Sequence, residues 1–272
     1  MVSFPNCKIN LGLKILRRRE DGFHDLETIF YPLPLADILE AVRAPELQFT
    51  VTGRPIPGDP GANLTIRAWQ LLRQDFPDLP FIHIHLHKRI PIGGGLGGGS
   101  ADGAFMLELL NRKFRLGLDA ALLARYAAQL GSDCPFFLLN QPCLGQGRGE
   151  RLEPLPLDLS AYSFLLVHPG IHVSTADAFS RCRPNDSGPS LRSVITRPIE
   201  LWRDTLINDF EAAIFTGYPI LREIRQSLYD QGALYAAMTG SGSCLYGIFE
   251  AGRAEAAGWS SAFEVISIPA KK

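Results

Sequence analysis

Pro91-Ile-Gly-Gly-Gly-Leu-Gly-Gly-Gly-Ser100 sets six glycines into seven positions, between two stretches of different periodicity. Upstream, Phe81-Ile-His-Ile-His-Leu-His87 alternates with period two, as a half-buried strand does. Downstream, Ala101, Ala104, Phe105 and Leu109 fall on one face of a helix that begins near Gly98. Glycine admits positive φ and lets the backbone approach a ligand closely. The first N–H groups of the helix are unpaired and carry partial positive charge, which favours phosphate. Strand, glycine loop and helix in this order predict an anion site. A tight turn alone does not need six residues that each cost backbone entropy.

Three phosphate loops compete for this stretch. A Walker A loop ends in Gly-Lys-Ser/Thr, and no lysine follows these glycines. Gly93, Gly95 and Gly98 satisfy the dinucleotide spacing, but a glycine run satisfies almost any glycine pattern. That fingerprint also requires an acidic residue ending a second strand about twenty residues on. Here the corresponding stretch is Lys113-Phe-Arg-Leu-Gly-Leu-Asp119, where Asp119 reads as a helix N-cap. The third option is a loop of the form Pro-x-Gly-x-Gly-Leu-Gly-Gly-Gly-Ser.

With that loop the chain resembles the galactokinase, homoserine kinase, mevalonate kinase and phosphomevalonate kinase superfamily. Cys7-Lys-Ile-Asn-Leu11 and Asp21-Gly-Phe-His-Asp-Leu-Glu-Thr-Ile-Phe30 narrow the resemblance to the 4-diphosphocytidyl-2-C-methyl-D-erythritol kinases. Gly131-Ser-Asp-Cys-Pro-Phe-Phe137, Asn208-Asp-Phe-Glu211 and Thr239-Gly-Ser-Gly-Ser-Cys244 extend it through almost the whole chain. The resemblance implies a mixed α/β (α+β) kinase of two domains. Residues 1–155 would form an ATP-binding half like the second domain of ribosomal protein S5. Residues 156–272 would form a ferredoxin-like half, with the active site in the cleft between the two.

Composition agrees. A chain of 272 residues buries one large core or two modest ones. Its 46% apolar and 20% charged content are those of a globular protein, and a net charge of −1 argues against a nucleic-acid surface. No apolar run is long enough to span a bilayer, and Arg17-Arg-Arg19 follows the first apolar stretch, the wrong order for a signal peptide. Five cysteines without a C-x-x-C point to a reducing compartment, so the expected location is the cytoplasm. A monomer or weak homodimer is expected, with no membrane and no nucleic-acid partner.

Strand patterns fall near 5–16, 25–51, 81–87, 135–155, 162–168, 234–239, 244–249 and 263–268. Helical patterns fall near 63–75, 98–113, 119–130, 174–181, 208–216 and 218–230. Pro154-Leu-Pro156 suggests the break between halves, and Cys182-Arg-Pro-Asn-Asp-Ser-Gly-Pro189 reads as an exposed loop.

Phosphoryl transfer needs positioning and charge neutralisation more than covalent help. Lys8 and Asp133 are the catalytic candidates. Period two along the first strand puts Lys8 and Asn10 on one side and Ile9 and Leu11 on the other. Taken alone, Lys8 reads as a solvated lysine and Asp133 as an Asx turn; the resemblance places the family's catalytic lysine and aspartate on them. Asp133 would orient or accept the proton of the attacking hydroxyl, and Lys8 would stabilise charge on the transferred phosphoryl.

On the nucleotide side the resemblance implicates Pro91, Gly93, Gly94, Gly95, Leu96, Gly97, Gly98, Gly99 and Ser100, with Asn63 and Lys88. On the substrate side it implicates Asn10, His24 for the cytosine edge, Phe23, Phe30 and Phe179 as stacking surfaces, and Thr175. Core packing is the competing account of each phenylalanine. Tyrosine is usual where Phe23 stands, so one hydroxyl is missing, while stacking needs only the ring face.

Against the pattern of the family it resembles, Ala101 stands in place of a second serine, and Cys7 and Cys134 flank the candidate catalytic pair as buried small hydrophobes or a reactive thiol. Magnesium is expected with ATP, held by phosphates and water, with no protein ligand assignable. His83, His85 and His87 share one strand face, but their spread of about 13 Å suits a single ion poorly, so an exposed polar face is the better account. The implied reaction is ATP-dependent phosphorylation of the 2-hydroxyl of 4-diphosphocytidyl-2-C-methyl-D-erythritol. The alternatives are another small-alcohol kinase of the superfamily, or a non-catalytic regulatory protein on the same scaffold.

Overall fold

Ile82, Ile84 and Leu86 point inward and are buried, while His83, His85 and His87 between them stay half-buried, so the alternation in sequence becomes a two-sided strand. The outward histidines bond to the neighbouring strand. His83 Nε2 lies 2.8 Å from Thr50 Oγ1, and both His85 Nε2 and His87 Nδ1 lie 2.9 Å from Thr52 Oγ1.

The computed structural model describes residues 1–271. In chain order the strands and helices of the first half are β1 (Val2–Ser3), β2 (Asn6–Arg18), β3 (His24–Ala36), β4 (Ile38–Arg43), β5 (Gln48–Gly53), α1 (Leu64–Asp75), β6 (Ile82–Lys88), α2 (Gly98–Phe114), α3 (Ala120–Leu130) and α4 (Cys134–Leu139). After them come β7 (Cys143–Gly147), β8 (Arg151–Pro154), β9 (Ser163–His168), α5 (Thr175–Arg181), α6 (Leu191–Ile195), α7 (Phe210–Gly217), α8 (Pro219–Asp230), β10 (Tyr235–Met238), β11 (Leu245–Phe249) and β12 (Glu264–Ile268).

These elements fall into two units. The first is Met1–Lys8, Pro32–Ile92 and Gly97–Gln141; the second is Ile9–Tyr31, Gly93–Leu96 and the chain from Pro142 onward. The division therefore differs from a single cut at residue 155. Hydrogen bonding explains the difference: β3 pairs with β7 at Leu26–Gly147 through Phe30–Cys143, which carries residues 9–31 into the second unit.

In the first unit the sheet order is β1-β4-β6-β5, with β5 parallel to β6 and the other pairs antiparallel. Helix α2 packs against α1, α3 and α4. Of its expected face Ala101, Ala104 and Leu109 are buried and Phe105 only half-buried, while Met106, Leu107 and Leu110 are buried as well, so the helix is covered on more than the one face. Asp119 caps α3, accepting a 2.8 Å hydrogen bond from Leu122 N, as expected. The expected strand over 135–155 begins instead as α4, because Pro135 is tolerated in the first turn of a helix; only its later part is β7 and β8. The apolar run 25–51 divides into β3, β4 and β5.

The second unit has an antiparallel sheet of order β10-β11-β9-β12 and another of order β2-β3-β7-β8. Leu165 and Val167 of β9, Ile214 of α7, Leu221, Ile224 and Leu228 of α8, and Leu245 and Phe249 of β11 share one buried cluster.

Candidate active site

Gly93, Gly95 and Gly97 have φ of 75°, 77° and 73°, in the left-handed region that favours glycine. Within the first unit, Gly97 caps α2 and its carbonyl accepts the first helical bond from Ala101 N at 2.9 Å. A Cβ on Gly97 would lie 2.8 Å from Phe137 Cζ and 3.0 Å from Lys8 Cε, so the lysine stem runs directly beside the start of the helix. A Cβ on Gly99 would meet nothing within 4 Å. The first-turn amides, which helix geometry leaves without an intrahelical acceptor, are therefore approachable at Gly99.

Lys8 leaves β2 with its side chain 3% exposed, and its Nζ lies 3.4 Å from Asp133 Oδ2. Asp133, 34% exposed, immediately precedes α4. The sequence-predicted catalytic pair is thus brought together within one unit, beside the exit of the glycine loop. The thiols of Cys7 and Cys134 are buried, and burial pushes each up to about 12. They are small hydrophobes, not reactive groups.

Two residues expected on the nucleotide side have other occupations. Asn63 caps α1, its Oδ1 accepting from Thr65 N at 2.9 Å and Thr65 Oγ1 at 2.7 Å. Lys88 is buried at the end of β6, paired with Asp37 and with Asp102 Oδ2 at 2.8 Å. An ammonium so engaged does not reach out to a nucleotide.

In the second unit the residues expected on the substrate side lie around a hairpin and a threonine. Arg19 N donates to Phe23 O at 2.8 Å, Gly22 turns at φ 84°, and Phe23 N donates to Asp21 Oδ1 at 3.1 Å. This turn leaves the Phe23 ring 52% exposed, with the Arg148 guanidinium 4.7 Å from its centroid. His24, one residue on, stacks on Phe179 with centroids 4.8 Å apart and planes 15° apart, and Phe179 meets Phe210 edge-on. Burial, then the nearby Arg18, lowers the His24 pKa, favouring the neutral ring with one donor and one acceptor nitrogen. Thr175 Oγ1, at the start of α5, lies 3.1 Å from Ser241 Oγ.

Asn10 is buried, donating through Nδ2 to Thr28 Oγ1 at 2.9 Å and through its backbone N to Thr239 Oγ1 at 3.1 Å. Thr239 Oγ1 also donates to Gly95 O at 3.2 Å, and Cys244 N donates to Gly94 O at 3.2 Å, so the stretch 239–244 holds the first glycines of the loop. A Cβ on Gly95 would come within 2.1 Å of Thr239 O. Phe30 corrects its expected role. It is 2% exposed and fills the space that a Cβ on Gly145 would take, so it is core and offers no stacking face.

Sequence reasoning gave no role to Asp37, Asp102, Thr239 or Arg148. Thr239 lies in a stretch that already marked the family, so its signal was present; Arg148 carries none, since only the fold brings it over Phe23. Among the described residues no group of three or more His, Cys, Asp or Glu is placed to hold a metal ion.

The GHMP kinases N terminal domain model matches residues 63–141, and the GHMP kinases C terminal model matches residues 198–262. A 4-diphosphocytidyl-2-C-methyl-D-erythritol kinase of Bacteroides fragilis is 49% identical over 253 residues, covering 92% of each chain. One of Cytophaga hutchinsonii is 46% identical over 250 residues, again covering 92% of each. Among solved structures, a 4-(cytidine 5'-diphospho)-2C-methyl-D-erythritol kinase superposes with a TM-score of 0.79 at 34% identity, over 93% of this chain and 90% of that one. The mevalonate kinase of Methanococcus jannaschii shares the fold, with a TM-score of 0.71 at 11% identity over 100% of this chain and 98% of that one. A glycine loop opening onto α2, a lysine–aspartate pair beside it and relatives of this likeness over nearly the full length lead to one assignment: the chain belongs to the 4-diphosphocytidyl-2-C-methyl-D-erythritol kinase family of the GHMP kinases.

Proposed function

We propose that the chain transfers the γ-phosphoryl of ATP to the 2-hydroxyl of 4-diphosphocytidyl-2-C-methyl-D-erythritol. The observation that carries this reading is the Lys8–Asp133 pair at 3.4 Å, with the Lys8 stem against Gly97 at the start of α2. The amides of the first turn take phosphate oxygens, Asp133 orients the attacking hydroxyl, and Lys8 offsets charge on the phosphoryl in transit. A non-catalytic binder has no need of that pair. In the second unit, the neutral His24 ring suits the donor and acceptor edge of a cytosine, and the exposed face of Phe23 offers a base a stacking surface. Asn10, Thr175 and Phe179 complete the substrate side of the proposal.

Magnesium accompanies ATP in this reading. Asp133, partly exposed beside the exit of the loop, is the carboxylate that would face such an ion, with phosphates and water as its other ligands. The ion would neutralise phosphate charge; the residues named above do the positioning. The proposed location is the cytoplasm: none of the five cysteines forms a disulfide. Among the described residues no helix is long and apolar enough to cross a membrane.

The test is ADP release by the purified protein with a panel of alcohols. The cytidyl compound is expected to be phosphorylated far more efficiently than methylerythritol 4-phosphate, mevalonate or homoserine. Faster turnover of mevalonate or homoserine would sink the substrate assignment and leave the kinase assignment standing.

A further inference from the structure

Three charged side chains lie buried together in the first unit. Asp37, in the corner between β3 and β4, is fully buried; Lys88 ends β6; Asp102 sits in the second turn of α2. Lys88 Nζ donates to Asp37 Oδ2 and, at 2.8 Å, to Asp102 Oδ2. The second oxygen of Asp37 accepts from Arg89 N at 2.5 Å and from Ile90 N at 2.9 Å. Asp102 Oδ1 is buried with no hydrogen-bond partner.

Each contact falls on chain that leads into or out of the glycine loop. Lys88, Arg89 and Ile90 are the last residues before Pro91, and Asp102 belongs to the helix that leaves the loop at Gly98. A Cβ on Gly98 would lie 3.3 Å from Lys88 Nζ and 3.0 Å from Ile90 Cγ2, so the entering segment packs directly under the first turn of the leaving helix. A buried ionic group is weak evidence for stability, since apolar residues of similar volume often serve the fold as well. Two carboxylates facing one ammonium are a still poorer device for stability alone. What such a network does supply is a fixed geometry.

We propose that Asp37, Lys88 and Asp102 form a buried clamp that fixes the strand entering the phosphate loop to the helix leaving it, and so positions the first-turn amides of α2 for phosphate. All three are positioning residues, and the inference rests on the reading of the loop as an ATP site. Supporting it, burial raises the Asp102 pKa to about 7, with Asp37 adding to the rise and Lys88 opposing it. Asp102 is thus readily protonated, and asparagine at 102 preserves the shape and donor of the protonated acid.

The experiment compares wild type, Asp102→Asn, Asp102→Ala and the charge-balanced double variant Lys88→Met/Asp102→Leu. Three quantities are read: thermal midpoint, Kd for a non-hydrolysable ATP analogue by calorimetry, and hydrogen exchange of the amides of Gly97–Ala101. Asp102→Asn is expected to keep the wild-type Kd. Asp102→Ala and the double variant are expected to stay folded, to raise the Kd roughly tenfold, the order expected of a misplaced site, and to lose amide protection at 97–101. Their KM for the alcohol substrate is expected not to move. A folded double variant with wild-type Kd and exchange would overturn the proposal, as would loss of folding in both Asp102→Ala and the double variant, because the network would then be holding the fold instead of the loop. Failure of wild type itself to bind the analogue would instead count against the ATP reading.

Discussion

Lys8 Nζ and Asp133 Oδ2 lie 3.4 Å apart, yet the lysine side chain is 3% exposed and the aspartate 34%. The asymmetry assigns different work to each. A carboxylate open to solvent can meet an incoming hydroxyl, whereas a buried ammonium acts on what already lies beside Gly97. Asp133→Asn should therefore lower kcat by about 10²–10⁴-fold, the range for loss of a general base, with Kd for either substrate little changed. Lys8→Ala should lower kcat and weaken ATP as well. Single-turnover rates with separately measured affinities decide this, and an Asp133→Asn variant that keeps most of its rate would remove the pair from the mechanism.

The glycines of the loop are not equivalent. A side chain at Gly95 meets Thr239 O and one at Gly97 meets Phe137, both at positive φ, so those substitutions are expected to disturb folding as well as binding. Gly99 meets nothing and lies outside the left-handed region. Gly99→Val should keep a near-normal thermal midpoint and still weaken ATP, because its side chain stands where backbone meets phosphate. Calorimetry beside a melting curve separates the two effects.

Much of this was legible in the residues. Period two along 82–88 and the apolar face of α2 fix local structure from local sequence, so β6, α2 and the loop between them were readable. The start of α4 was not, since Cys-Pro-Phe-Phe has no period and its helix forms from only six residues. Lys8 and Asp133 are 125 positions apart in sequence, and only the resemblance paired them. Lys88 was placed on the nucleotide side by the resemblance alone. Its partners Asp37 and Asp102 come from a strand corner and a helix turn, which no sequence spacing ties to it.

The lowered pKa of His24 gives a pH dependence with a definite sign. Burial favours the neutral ring, so the folded state binds fewer protons than the unfolded chain between the lowered value and 6.5. Its contribution to stability is therefore present above 6.5 and is lost as pH falls through the lowered value. Substrate affinity should follow the same course, because protonation removes the acceptor nitrogen. KM for the cytidyl substrate should be flat near neutrality and rise on acidification, and the rise should disappear in His24→Asn. A profile unchanged by that substitution would take His24 out of base recognition.

The stacked His24–Phe179 pair and the Phe23 ring under Arg148 make separable predictions about the substrate end. Phe179 supports His24 by stacking at 4.8 Å and is itself braced edge-on by Phe210. Phe179→Ala should therefore cost a stacking surface and loosen His24 together, and the double variant with His24→Ala should be less than additive. An aromatic stacking contact is worth about 1–3 kcal/mol per base, so KM for the cytidyl compound should rise from several-fold to roughly a hundredfold. Phe23 is braced differently, with the Arg148 guanidinium 4.7 Å from its centroid. Phe23→Tyr should be tolerated, since the ring face is kept, whereas Phe23→Leu should raise KM in the same range. None of these variants should change the Kd for ATP, because the glycine loop and the Lys8–Asp133 pair are untouched. Steady-state kinetics with the cytidyl substrate, beside calorimetry with an ATP analogue, read both arms. Equal losses in the two would mean that these rings hold the fold and not the base.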